Sequence, residues 1–123
     1  VKLHPVGASG LNTITGYGAG YVMVNGQRYE TSVIVMPDRV VPWDVRGFDA
    51  LTAQDFEFLA QLGAEILILG TGRRQRFPAP QLAAPIARRT RIGLEVMDVQ
   101  AACRTYNILV AEERKVAAAL LVE

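Results

Sequence analysis

The sequence predicts a single α/β domain, and three observations carry that reading. The first third of the chain is dense in short β-branched and aromatic runs broken by glycines. The second half alternates apolar runs with amphipathic helical segments. The chain has 123 residues, 50% apolar and 20% charged, which suits one core and is too short for two ordinary domains. A chain of this size buries roughly two-thirds of the surface its unfolded form exposes, so it can stand without staples.

Thr13 to Tyr17 and Tyr21 to Val24 read as strands punctuated by Gly18 and Gly20. Asn25-Gly26 is a type I′ hairpin signal, because both central residues of that turn need positive φ. It leads into a third strand, expected over Arg28 to Met36, which alternates early and becomes wholly apolar from Val33. That change reads as one strand passing from a half-exposed edge into the core, and Pro37 ends it. Val40 to Trp43 is a short extended piece. Thr52-Ala-Gln-Asp55 resembles a capping box, with Leu51 placed to staple onto Phe56. The helix it opens is expected to run to about Leu62, with Phe56, Leu59 and Ala60 inward and Gly63 as terminator.

Beyond it, Glu65 to Leu69 reads as a buried strand and Pro80 to Arg89 as a helix with Leu82 and Ile86 inward. Pro85 inside that helix implies a kink or a start close to Pro80. Gly93 to Met97 is a second buried strand, Ala101 to Glu112 a helix with Ala102, Tyr106, Leu109 and Val110 at helical spacing, and Lys115 to Val122 a last strand. Strand–helix–strand–helix–strand at these lengths implies right-handed crossovers and neighbouring parallel strands.

Several function classes are excluded at this level. A formal net charge of +1 lacks the basic excess of a dedicated nucleic-acid binder. The single cysteine, Cys103, rules out an internal disulfide and a multi-cysteine metal site, and the single histidine, His4, rules out a His-rich zinc site. No metal or cofactor is therefore expected. No apolar run approaches the ~20 residues of a transmembrane helix, and no signal peptide is visible. The cysteine count fits a reducing compartment, so a cytoplasmic location is expected. A serine triad through Ser9 or Ser32 fails because no histidine is available to relay the proton, His4 lying at the N-terminus, and no carboxylate pair has glycosidase spacing. No catalytic residue is assigned.

In an open parallel sheet, ligands sit beyond the carboxyl ends of the strands. Two loops qualify, Gly70-Thr-Gly-Arg-Arg-Gln-Arg-Phe77 and Asp98-Val-Gln-Ala-Ala-Cys-Arg104, and they are expected to face each other. Gly70, Thr71 and Gly72 offer backbone N–H groups to an anion, and Arg73, Arg74 and Arg76 offer forked donors for carboxylate or phosphate. The loop lacks the Lys-Ser/Thr of a P-loop and the third glycine of a dinucleotide fingerprint. The bland reading is a tight turn with solvated or internally paired arginines. Asp98 is placed to cap the following helix, with orientation of Arg104 as its alternative role. Cys103 lies early in that helix without a histidine partner, which favours a small buried thiol over a nucleophile. Asn107 in mid-helix is unfavourable by propensity, so a specific hydrogen-bond partner is expected. Trp43 is either a lid on the core or, with Phe77, a partner-contact anchor.

The chain resembles a family of small domains of unknown function that includes an adipogenesis-associated protein and a mitochondrial respiratory complex I assembly factor. The matching stretches are Gly10 to Gly18, Trp43-Asp44, Leu69 to Phe77, Glu95 to Asp98, Ala101 to Leu109 and Val116 to Leu120. The resemblance implies a three-layer fold: a mixed β-sheet with helices packed on one face and an N-terminal β-hairpin or meander on the other. It implies no established enzymatic activity, and it implies protein contacts for the assembly-factor relatives. Where the family carries Thr-Gly after the motif aspartate this chain has Val99-Gln100, so only position carries over: the loop after the Gly-Thr-Gly strand and the helix start at Asp98 and Arg104. Two functions are left in competition. One is a non-catalytic interaction module with a protein partner. The other is a binder or enzyme for a small carboxylate or phosphate in an arginine-lined crevice.

Overall fold

The computed structural model describes residues 10–123, so His4 and Ser9 lie outside the described residues. Two sheets form. The first is an antiparallel meander of β1 (Ile14–Gly18), β2 (Tyr21–Val24) and β3 (Gln27–Tyr29). The second has five strands: β4 (Val33–Met36), β5 (Arg39–Pro42), β6 (Ile66–Gly70), β7 (Gly93–Met97) and β8 (Val116–Leu120), in the order β5-β4-β8-β6-β7. β5, β4 and β8 pair antiparallel, whereas β8, β6 and β7 are parallel. Among the described residues three α-helices complete the fold: α1 (Ala53–Ala60), α2 (Pro80–Ala87) and α3 (Val99–Ala111). The α/β class, the mixed sheet, the meander and the adjacency of β6 and β7 follow the sequence reading.

The expected strand over Arg28 to Met36 is two strands in two sheets. Its alternating part belongs to the meander, where one face is wet; its apolar part is β4, buried on both faces. The chain changes sheet at Glu30 to Ser32. Ser32 fixes the crossing: its Oγ accepts from Val122 N at 3.1 Å and its carbonyl from Trp43 N at 3.0 Å. Asn25 and Gly26 make the predicted turn at φ 52° and 81°.

The crossovers decide where the helices go. From β6 to β7 the chain steps one strand outward; from β7 to β8 it steps back across β6. Two right-handed connections of opposite direction must lie on opposite faces. α1 and α2 accordingly pack with Ile34, Leu67, Leu69 and Ala119 on one face. α3 packs with Val35, Ile68, Ala118 and Leu120 on the other, where it shares its face with the meander residues Ile14, Val22 and Val24. The helical layer is thus divided, with α3 filling the space between sheet and meander. Central β8 is Val-Ala-Ala-Ala-Leu, fully buried, and its small side chains let layers approach from both sides.

Local signals account for the ends. Thr52 and Asp55 form the reciprocal capping box, Leu51 and Phe56 are both buried in one cluster, and α1 stops at Ala60, a little short of the expected end. α2 begins at Pro80, where a missing N–H is harmless, and carries Pro85 inside. α3 begins at Val99, two residues before the expected Ala101, because Asp98 Oδ1 accepts from Ala101 N at 2.9 Å. Among the described residues, no helix is long and apolar enough to cross a membrane.

Candidate functional site

The turn after β6 closes on itself. Gly70 is buried, and a Cβ there would stand 3.0 Å from Ala102 Cβ and 3.1 Å from Leu120 Cδ2. A side chain at this position would crowd the packing of α3 onto the sheet. Thr71 is fully buried. Its N–H donates to Met97 O at 2.8 Å, and its hydroxyl donates to Arg74 O at 2.7 Å while accepting from Arg76 N at 3.1 Å. Gly72 sits at φ 92°, a conformation favouring glycine, and its carbonyl accepts from Val99 N at 2.9 Å. The two predicted loops therefore meet, but by bonding to each other.

Three N–H groups at the helix N-terminus are occupied as well. Val99 N is taken by Gly72 O, Ala101 N by the Asp98 carboxylate and Ala102 N by Asp98 O. An anion aimed at the Ala101 N–H would have to displace the Asp98 carboxylate.

The four predicted arginines diverge. Arg73 and Arg74 are exposed, and their guanidinium groups make no hydrogen bond or ion pair among the described residues. Arg76 turns inward: its Nη2 lies 3.4 Å from both Glu123 carboxylate oxygens and 3.4 Å from Thr71 O, and its guanidinium covers the Phe48 ring at 4.5 Å. Its Nε is buried with no partner among the described residues. Arg104 points to the meander, where Nη1 donates to the Tyr17 hydroxyl at 3.0 Å. Asp98 caps its own helix and does not bond Arg104.

Cys103 has no exposure, and burial pushes its thiol up to about 12, outweighing the opposing pull of Arg104. A thiol so placed is not a nucleophile near neutral pH. Trp43 is 6% exposed and packed in the α1/α2 core cluster. That burial is the position expected of a lid on the core. Phe77 is 71% exposed. Asn107 has the specific partner its position demanded: its amide donates to Ile14 O at 2.7 Å and accepts from Ile14 N at 2.9 Å. With Tyr106 Oη donating to Asn12 O at 2.9 Å, Arg104, Tyr106 and Asn107 form a seam that holds the meander on α3.

Cavities open to solvent among the described residues include these two. One of about 210 Å³ lies at the carboxyl end of β6 and β8, walled by Gly72 and Arg73, by Val99 and Gln100, by the β1–β2 turn and by Leu121 to Glu123. Only Gly72 and Arg73 of the predicted site residues line it. A second, about 460 Å³, lies at the opposite end of the sheet between Met36 to Arg39, Leu62 to Ala64 and Glu113 to Lys115, and holds none of them. Sequence reasoning missed Gly47, Phe48, Tyr21 and Glu123. Only Glu123 carried a signal, as a lone acid following the apolar run of β8. Among the described residues, no group of His, Cys, Asp and Glu could hold a metal ion.

With this geometry in hand, comparison with known proteins places the chain. A family model described as a protein of unknown function (DUF498/DUF598) matches residues 14–121. The human NADH dehydrogenase (ubiquinone) 1 alpha subcomplex assembly factor 3 is 34% identical over 111 residues, covering 88% of this chain and 59% of that protein. The chain thus spans somewhat over half the length of the assembly factors it matches. A crystal structure of a protein from Bordetella parapertussis is 42% identical with a TM-score of 0.86, covering 94% of this chain and 99% of that one. A solution structure of a Mth938-like domain from Bordetella pertussis is 37% identical with a TM-score of 0.78, covering 99% of this chain and 92% of that one.

Proposed function

Because the chain belongs to the DUF498/DUF598 family, we propose that it is a non-catalytic interaction module, acting as its assembly-factor relatives are named to act: on the building of a protein complex. The observation that carries this reading is the closed turn after β6. Thr71 and Arg76 N–H in that turn and Val99, Ala101 and Ala102 N–H at the start of α3 are bonded internally, and Arg76 and Arg104 bond side chains on different elements. A small-anion enzyme would need those donors free and convergent. The same turn presents Arg73, Arg74 and Phe77 outward on a rigid support, which suits recognition of a surface.

The test is affinity capture with chemical cross-linking from extracts of the host cell, alongside thermal-shift screening with anionic metabolites. One partner recurring across repeats, its cross-links mapping to this chain and no metabolite stabilising it, is the expected result. Turnover of any substrate, or stabilisation by a carboxylate or phosphate that Arg76→Ala and Arg104→Ala abolish, overturns the proposal in favour of the small-anion reading.

A further inference from the structure

Arg76 is held in place without being satisfied. A well-made arginine–carboxylate pair engages two nitrogens at about 2.7–2.9 Å. Here one nitrogen is shared between both Glu123 oxygens at 3.4 Å, and Nε is buried with no partner among the described residues. The carboxylate lies in a slot whose walls have no room for side chains. A Cβ on Gly47 would stand 2.7 Å from Glu123 Oε2, and one on Gly72 would overlap Oε1. Phe48 backs the guanidinium at 4.5 Å. In the turn that carries Gly72 and Arg76, Arg73, which lines a cavity with Glu123, and Arg74 are exposed without partners among the described residues, and Phe77, at 71%, is the most exposed large apolar side chain described.

We propose that this slot receives a carboxylate from a partner protein, presented by an Asp or Glu in an acidic segment that also carries apolar side chains; the inference rests on the interaction-module reading above. The partner carboxylate takes the position of the Glu123 carboxylate on Arg76, flanking acids meet Arg73 and Arg74, and an apolar side chain covers Phe77. Glu123 is an internal stand-in that keeps Arg76 paired in the free protein. The pair is part-exposed and long, hence weak and readily displaced. Charge complementarity selects the occupant. A second copy of a chain with net charge +1 brings no acidic excess, and a free small anion leaves Phe77 uncovered.

The probe is a short fluorescein-labelled peptide of glutamates around a leucine pair, with a glutamine-for-glutamate twin, followed by fluorescence polarisation. The glutamate peptide is expected to bind at least about tenfold more tightly than its twin and to weaken at high salt. Arg73→Ala with Arg74→Ala should weaken it about three- to tenfold at an unchanged melting temperature, since exposed pairs contribute modestly. Glu123→Ala, which empties the slot, should tighten it about two- to fivefold, and Glu123→Gln should tighten it in the same direction. Equal binding of the twin, no tightening by either Glu123 variant, or equal competition by free glutarate overturns the proposal. If the peptide fails while one partner still cross-links to wild type and to the Arg73/Arg74 variant alike, the slot is wrong and the interaction module stands. If no partner recurs either, both readings fall.

Discussion

Replacing Asn107 by alanine tests the seam between α3 and the meander. The Asn107 amide satisfies both backbone groups of Ile14, donating at 2.7 Å and accepting at 2.9 Å, with the side chain 5% exposed and Ile14 fully buried. Asn107→Ala leaves a buried N–H and a buried C=O unpaired, and each such group costs about 1–3 kcal/mol. With a small contribution from lost packing, the sum is about 3–5 kcal/mol, against total stabilities of about 5–15 kcal/mol for domains of this kind. At about 4 °C per kcal/mol for this chain length, the melting temperature should fall by about 12–20 °C. Urea unfolding followed by circular dichroism should show a lower midpoint at unchanged slope. Native-state exchange should show the Ile14 amide losing protection before β6 and β8 do. Asn107→Asp keeps the acceptor for Ile14 N–H but sets an anion against Ile14 C=O; it should be as unstable as the alanine variant at neutral pH and recover on acidification, when the carboxyl regains a proton to donate. An alanine variant within about 1 kcal/mol of the parent, with Ile14 exchange unchanged, would refute the reasoning.

Three further outcomes are expected. The Cys103 thiol, raised to about 12 by burial, contributes stability that is complete below its ordinary value of 9.0 and is lost as pH climbs between them, by up to about 1.4 kcal/mol per unit; the alkaline slope of stability should flatten in Cys103→Ala, and a parent slope no steeper than the variant's counts against it. Gly70→Ala should destabilise by about 1–3 kcal/mol through overpacking against Ala102 and Leu120, while Gly63→Ala, at φ 83° with open space around it, should lose only about 1 kcal/mol; equal losses by urea titration would contradict the packing account of Gly70. Trp43, the sole tryptophan, should emit at short wavelength in the folded protein and shift red in step with the loss of circular dichroism, and Trp43→Ala should cost about 3–5 kcal/mol; a red-shifted native spectrum would place it at the surface.

Much of the fold was legible because its signals are local. Asn25-Gly26 fixes a turn by φ alone, and Thr52 with Asp55 closes a capping box within one helical turn. The switch of sheets at Glu30 to Ser32 was not legible. Alternating and uniform burial are both strand signatures, and what separates β3 from β4 is a long-range partner, Val122, bonded to Ser32. The site shows the same division. Gly70 to Phe77 was located correctly as a glycine-bearing turn after a strand, and Asp98 as a cap. The directions of its arginines were not, because Arg76 is set by Phe48 and Glu123, and Arg104 by Tyr17, residues distant in sequence that no spacing rule connects.

The strand order has a consequence for how the chain is made. β8 is the last strand in chain order, yet it lies at the centre of the larger sheet between β4 and β6. During synthesis the β4–β5 hairpin and the β6–β7 pair can each form, but they have no edge in common until Val116 to Leu120 have left the ribosome. Until then the nascent chain holds two half-sheets with unpaired apolar edges, β4 on one and β6 on the other, each a template for pairing with a neighbouring chain. A stop between β7 and β8 would therefore leave one chain carrying two half-sheets in search of the same missing strand. That strand, offered in trans as a peptide, is what should bring them together.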